Sequence, residues 1–222
     1  MDTGSNIARR RRSALSEGSA DYKIKRDEIV QAASRLFKER GYKGVTLAQV
    51  AEVAGVDRAT IYYYVGSKDE LLRVAVESLV DRNAVEAQRI FRAKDLNAQE
   101  KLVKLVETLM ASYEEHYPHM YVYIQEEMHH VGDDASDWAK AMTRHTRHWE
   151  TIFIKLMEEG VEQGLFRADV PPKIAVNALF GMLNWTHRWF KPGGKSDARE
   201  VARCFNQIFF KGMEPGLPGA KG

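Results

Sequence analysis

The chain has 222 residues, 44% hydrophobic and 29% charged, a globular composition long enough for one moderate core and a small appended module. The net charge of +2 is unevenly spread: residues 1–68 hold 13 Lys or Arg against 8 Asp or Glu, +5, and the remaining 154 hold 20 against 23, −3. One cysteine, Cys204, excludes an intrachain disulfide, no apolar run approaches the ~18 residues that cross a bilayer, and no apolar segment follows the basic N-terminus as in a secretion signal, so a soluble, cytoplasmic protein is expected.

Residues 1–20 are polar, contain the run Arg9-Arg10-Arg11-Arg12 and show no apolar periodicity, which predicts a disordered basic arm. Such an arm either contacts nucleic acid or is a solvated tail, and the sequence leaves both open. A helical pattern follows, ending in Leu36-Phe37-Lys38-Glu39-Arg40-Gly41-Tyr42. Thr46 with Gln49 three residues on is a capping box that starts a helix, whose apolar face is Val50, Ala51, Val53 and Ala54. Gly55 then stands where a helix end favours a left-handed residue. Val56 can plug a small core, and Asp57 caps a second helix with Ala59 or Thr60, Ile61 and Val65 facing inward. The spacing predicts a helix-turn-helix within a domain over 21–68.

The outward face of the second helix holds Arg58, Thr60, Tyr62, Tyr63 and Tyr64, with Lys68 one turn beyond. At roughly 100° per residue, three successive tyrosines cannot all face a core. These groups fit DNA: Arg58 reading a base edge, Ala59 and Tyr63 beside thymine methyls, and Thr46, Thr60, Tyr62, Tyr64 and Lys68 holding phosphates.

The same residues carry a family resemblance. Val45-Thr46-Leu47-Ala48-Gln49-Val50-Ala51, Ala54-Gly55-Val56, Thr60-Ile61-Tyr62 and Ser67-Lys68-Asp69-Glu70-Leu71-Leu72 resemble the DNA-binding domain of the TetR (tetracycline-repressor-type) family. The resemblance implies an all-α, nine-helix, two-domain architecture, a homodimer on a near-palindromic operator, and a small-molecule effector. It also implies that the next helix connects the DNA-binding domain to the effector-binding core. Leu47 and Ala48 depart from the pattern, occupying positions where members often carry polar groups.

That connecting helix runs from Ser67, boxed with Glu70, to about Ala93, with a stripe of Leu71, Leu72, Ala75, Val76, Leu79 and Val80. Asn97 and Glu100 box the start of a helix to about His116, broken at Pro118. A short helix over about 119–130, a long one over about 136–163 closed by Gly164, one over about 172–190 opened by Pro172, and a last over about 196–212 complete an effector-binding and dimerisation domain over 69–212. Residues 213–222 form a Gly- and Pro-rich flexible tail.

The candidate effector lining is aromatic and methionine-rich: Met110, Tyr113, Tyr117, Tyr121, Tyr123, Met128, Trp138, His145, Trp149, Phe153, Phe180, Asn184, Trp185 and Trp189. Leu179, Leu183, Trp189, Phe205, Ile208 and Phe209 are the candidate dimer interface, a four-helix bundle made from the last two helices of each subunit. Arg188-Trp189-Phe190-Lys191-Pro192-Gly193-Gly194 and Tyr121-Val122-Tyr123-Ile124-Gln125-Glu126-Glu127 resemble a TetR subgroup controlling fatty-acid or steroid-ring catabolism, which implies an acyl-coenzyme A or similar lipophilic effector.

No nucleophile elbow, phosphate-binding glycine loop, zinc-protease helix or dinucleotide fingerprint is present, so no catalytic residue and no cofactor are assigned. His145 with His148, or Glu126 with His129 and His130, have spacings that can share a metal, but no metal site is assigned to them. The expected function is a cytoplasmic, nucleoid-associated homodimeric repressor of double-stranded DNA, released by a lipophilic effector and without membrane partners. The alternatives are an effector-independent DNA-binding protein or a helical enzyme.

Overall fold

The computed structural model describes residues 20–124 and 136–215. The Arg9–Arg12 arm, Glu126, Met128, His129 and His130 lie outside the described residues. Among the described residues the fold is all-helical: α1 (Ala20–Arg40), α2 (Leu47–Val53), α3 (Arg58–Tyr64), α4 (Lys68–Phe91), α5 (Ala98–Glu115), α6 (His119–Val122), α7 (Asp137–Glu162), α8 (Pro172–Trp185) and α9 (Ala198–Met213). A single 3-10 turn, Thr186–Arg188, follows α8. No described helix is long and apolar enough to cross a membrane. The described residues form two compact units, one of residues 20–78 with Pro118–Tyr123, the other of Leu79–Tyr117 with Ile124 and residues 136–215. The expected domain limit at residue 68 marks the start of α4, whereas the units divide within that helix.

In the first unit, Ile29, Ala32, Ala33, Leu36 and Phe37 of α1 are buried, and α1 packs on α2 and α6, α2 on α3. The Phe37 ring meets Tyr42 at 5.2 Å and His119 of α6 at 5.9 Å. Gly41, at φ +71°, lets the chain leave α1 in a left-handed turn that a side chain would strain.

In the second unit, α5 packs against α9 and α7, and α7 against α8. Asn97 caps α5 reciprocally with Glu100, at 2.8 and 2.9 Å. Leu102, Leu105, Val106 and Met110 of α5, and Phe153, Leu156 and Met157 of α7, form the core. The α7 backbone comes close to Phe166 at Gly160, where an added Cβ would lie 2.2 Å from the ring, and Phe166 stacks on Phe210 of α9 at 5.7 Å. Buried Asn83 of α4 donates to Ser112 of α5 at 2.9 Å, satisfying a polar pair inside this core.

Candidate functional site

The helix-turn-helix is built by short-range bonds. Thr46 and Gln49 cap each other: the Thr46 N–H donates to Gln49 Oε1 at 2.9 Å, and the Gln49 N–H to Thr46 Oγ1 at 3.4 Å. At the other end of α2, Gly55 takes φ +66° and the Val56 N–H donates back to the Ala51 carbonyl at 3.0 Å, closing the turn. Asp57 then accepts from the N–H groups of Ala59 and Thr60, both at 2.8 Å, and starts α3. Ile61 and Val65 are fully buried beneath it. The Thr60 hydroxyl and backbone N–H hold the Asp57 carboxyl below its ordinary range, because both hydrogen bonds favour the ionised form.

Several expected side-chain roles change with this geometry. Val53, expected in the buried face of α2, is exposed: Val50 and Ala51 define the inward direction, and Val53 sits about 110° from its centre on a helix of 3.6 residues per turn. Ala59 is also exposed, two residues from buried Ile61 and therefore on the opposite side. The Thr60 hydroxyl, expected on a phosphate, donates to Asp57, and that of Thr46 donates to Gln49 Oε1 at 3.0 Å, so each is engaged in its own cap. Tyr64 is half-buried, stacked on Tyr22 at 5.0 Å, and Tyr63 meets the same ring edge-on at 5.3 Å.

What remains outward is Arg58, Ala59 and Tyr62, with an edge of Tyr63. Arg58 is exposed and has no hydrogen bond or ion pair among the described residues. Lys68, by contrast, is held: its Nζ donates to the Tyr42 carbonyl at 3.0 Å and lies 4.3 Å over the Tyr42 ring, while the Tyr42 hydroxyl donates to Asp69. Ser67 accepts from the Glu70 N–H at 3.0 Å, and Glu70 returns a bond to the N–H of Gly66, one residue earlier than a regular capping box, while also meeting Arg26 at 3.5 Å. Sequence reasoning missed Tyr22, Tyr42 and Arg26 as the residues that seat α3 and the start of α4. Their partners are 26 to 44 positions away, beyond any local pattern.

The expected effector residues divide. Trp149, Phe153 and Phe180 form one contiguous aromatic run, with centroids 5.9 and 5.0 Å apart, and Tyr113 donates to Asn184 Oδ1 at 3.4 Å. Met110 is fully buried, and Tyr117 and Trp138 are half-buried. Tyr121, in α6, belongs to the first unit rather than to this group. His145 directs Nε2 to Asp81 Oδ1 at 3.0 Å, a surface pair. Trp185 is exposed, not enclosed, because it closes an outer stripe of α8.

That stripe also revises the expected dimer face. Leu179, Leu183 and Phe209 are buried within their own unit, so they are core. The apolar surplus lies instead at Ile174 (61% exposed), Trp185 (60%), Trp189 (48%) and Ile208 (66%). Ile174, Ala178, Gly181 and Trp185 recur at i, i+4, i+7 and i+11 on one exposed side of α8, and Phe205 of α9 meets Trp189 at 6.3 Å. A groove of about 870 Å³ on α4 and α7, lined by Val85, Gln88, Arg89, Arg92 and His148 among others, also escaped sequence reading; its signal is the helical spacing of 85, 88, 89 and 92. Among the described residues no three His, Cys, Asp or Glu side chains converge as metal ligands.

A capped helix-turn-helix with an open reading edge headed by Arg58, followed by a larger helical unit, defines a DNA-binding regulator. Comparison with known proteins identifies which kind. Residues 29–75 match the family of bacterial regulatory proteins of the tetR type, and residues 95–213 match a tetracyclin repressor-like C-terminal domain. The chain therefore belongs to the TetR family of transcriptional regulators, a family of DNA-binding proteins rather than enzymes. It is 27% identical over 192 residues to the HTH-type transcriptional repressor KstR2 of Mycolicibacterium smegmatis, covering 85% of this chain and 90% of the relative. The structure of the ketosteroid transcriptional regulator KstR2 of Mycobacterium tuberculosis superposes with a TM-score of 0.72 at 21% identity, over 85% of this chain and 94% of that one. AibR, solved in complex with isovaleryl coenzyme A and operator DNA, superposes with a TM-score of 0.68 at 19% identity, over 84% and 98% of the two chains.

Proposed function

We propose that the protein is a homodimeric repressor that leaves a near-palindromic operator when a lipophilic metabolite fills the helical unit of each subunit. The observation that carries the reading is the outward edge of α3, where Arg58 stands exposed and, among the described residues, uncommitted beside Ala59 and Tyr62 on a helix held by Asp57. An unpaired guanidinium at the N-terminal end of a recognition helix is placed to take a guanine edge, since that end of such a helix enters the major groove. Tyr62 and Lys68 hold phosphates, and Ala59 and Tyr63 lie against thymine methyls. Two copies are required, because one seven-residue helix reads too few base pairs for an operator. The α8 stripe of Ile174, Ala178, Gly181 and Trp185, together with Trp189, Phe205 and Ile208, supplies the apolar surface that a second copy covers, small residues at its centre admitting close helix approach.

The effector contacts Trp149, Phe153 and Phe180, with Tyr113 and Asn184 as the polar pair that orients it. A mostly aromatic cluster with one polar pair suits an acyl or steroid-derived carbon skeleton. The likeness to AibR, solved with isovaleryl coenzyme A, supports an acyl-coenzyme A thioester as the chemical form, and that to the ketosteroid regulator KstR2 supports a steroid-derived skeleton.

Selection of duplexes from random DNA, followed by salt titration on the winner, tests the DNA half. An inverted repeat with a steep salt slope is expected, and failure to enrich any sequence at low salt refutes the reading. Adding short-chain, long-chain and steroid-derived acyl-coenzyme A thioesters to the preformed complex tests the other half. Release by one class is expected; retention with all of them favours the effector-independent alternative.

A further inference from the structure

Tyr42 sits in the turn that joins α1 to α2, and short-range geometry fixes it there. Gly41 takes φ +71°, and Gly44 approaches the Arg40 carbonyl so closely that an added Cβ would lie 2.6 Å from its oxygen. The Tyr42 carbonyl accepts the Val45 N–H at 3.4 Å, and buried Phe37 backs the Tyr42 ring at 5.2 Å. A half-buried aromatic platform thereby stands at a defined place beside the first turn of α4.

That first turn opens with opposite charges on successive residues, Lys68 and Asp69. At roughly 100° per residue on a helix their side chains leave in different directions, and Tyr42 engages both. Its carbonyl accepts from Lys68 Nζ at 3.0 Å, its ring face lies 4.3 Å from the same ammonium, and its hydroxyl donates to the Asp69 carboxylate. The cation rests on the electron-rich face and the acid on the donor. Resting on the DNA-binding reading above, we propose that Tyr42 is a positioning residue for DNA binding, which holds the Lys68 ammonium ready for a phosphate and draws the Asp69 carboxylate aside. An ammonium has three N–H donors, so the Tyr42 carbonyl takes one and leaves the others for phosphate oxygens. A free lysine loses rotamer freedom on meeting a duplex, whereas Lys68 is ordered beforehand, and that loss no longer opposes binding. Asp69 left unheld would place a negative charge one residue from the phosphate contact. Because Tyr42 acts through a phosphate contact, its effect falls on all duplexes alike.

The test measures binding of full-length protein to the selected operator and to a random duplex across a salt series, for wild type, Tyr42→Leu, Tyr42→Phe, Lys68→Ala and the double variant of Tyr42→Leu with Lys68→Ala. Tyr42→Leu should weaken both duplexes alike, by about 2- to 12-fold per subunit, the effect of ordering one long side chain. In the Lys68→Ala background the same change should lose most of its effect, because no ammonium remains to be placed. Tyr42→Phe keeps the ring and the carbonyl and should retain most of the wild-type affinity, its remaining loss reporting the release of Asp69. Equal loss from Tyr42→Leu with and without Lys68 overturns the inference and leaves Lys68 on its phosphate. Lys68→Ala with wild-type affinity and salt slope, or no duplex selected by wild type, removes the phosphate contact itself, and the inference falls with it. A readout on the free protein covers the case in which Tyr42→Leu does not fold. The Lys68 ε-methylene protons of wild type and of Tyr42→Phe should resonate upfield of their ordinary position, shifted by the ring current, and ordinary positions in both proteins overturn the inference.

Discussion

Replacing Arg58 by alanine isolates the reading edge of α3 from the fold that holds it. The side chain is exposed, with no hydrogen bond or ion pair among the described residues, so its removal breaks no cap and uncovers no buried partner. Stability should change by no more than about 0.5 kcal/mol, as for a surface site remote from special features. One bidentate base contact is worth about 1 to 3 kcal/mol. A dimer loses two, so operator affinity should fall by about 2 to 6 kcal/mol, from roughly 30-fold to above 10⁴-fold. Fluorescence anisotropy on the selected operator, at one fixed salt concentration, measures the loss, and single base-pair substitutions in each half-site locate it. Specificity should relax at one position per half-site. Arg58→Lys should restore part of the non-specific affinity but not the base preference, because an ammonium lacks the planar fork. Alanine protein with unchanged thermal stability, affinity and base preference would mean that α3 does not enter the groove by its N-terminal end.

Four further outcomes follow from the geometry. Lys68→Ala should weaken binding to all duplexes alike, lowering the salt slope by roughly 0.9 per subunit, and an unchanged slope would remove Lys68 from the phosphate contacts. Ile208→Glu places a charge on the exposed α8 and α9 surface, and sedimentation at micromolar concentration should find a monomer for the variant and the proposed dimer for wild type; a dimer in both would move the interface elsewhere. Gly160→Ala drives a methyl into the Phe166 ring, itself stacked on Phe210, and should cost about 1 to 3 kcal/mol by chemical denaturation; an unaltered midpoint would show that the ring yields freely. Asp57 has a folded-state pKa below its ordinary 3.8, so the stability it contributes is present above that value and lost as pH falls through the lower folded one. Asp57→Asn, which cannot ionise, should therefore differ from wild type in denaturation midpoint at pH about 6, with the difference shrinking toward pH about 2; a difference constant across that range would refute the assignment.

What was legible in the sequence is local. Thr46 with Gln49, Gly55, Asp57, Asn97 with Glu100, Gly164 and Pro172 each act on a backbone group within about four residues, and each stands at the expected helix end. The same locality made the helix-turn-helix and the exposed position of Arg58 readable before any packing was known. Where a helix carries both polar and apolar faces, as α7 does with Trp149, Phe153 and Leu156 buried and Arg144, Arg147 and Lys155 exposed, its periodicity also shows which side turns inward.

Tertiary structure decided the rest, wherever local signals were silent or degenerate. Helix α8 is apolar nearly all round, so its pattern carries no phase. Packing against α7 assigned Leu179 and Leu183 to the core and left Ile174 and Trp185 outside. Three adjacent tyrosines likewise pointed every way until Tyr22, some forty residues earlier, covered Tyr63 and Tyr64 and left Tyr62 exposed. Lys68 reads in sequence as a free cation, yet the carbonyl and ring of Tyr42, 26 residues away, hold it in place. A cap is determined by its own turn of chain, whereas the inward direction of an apolar helix and the seat of an amphipathic side chain depend on surfaces that meet only after the chain has folded.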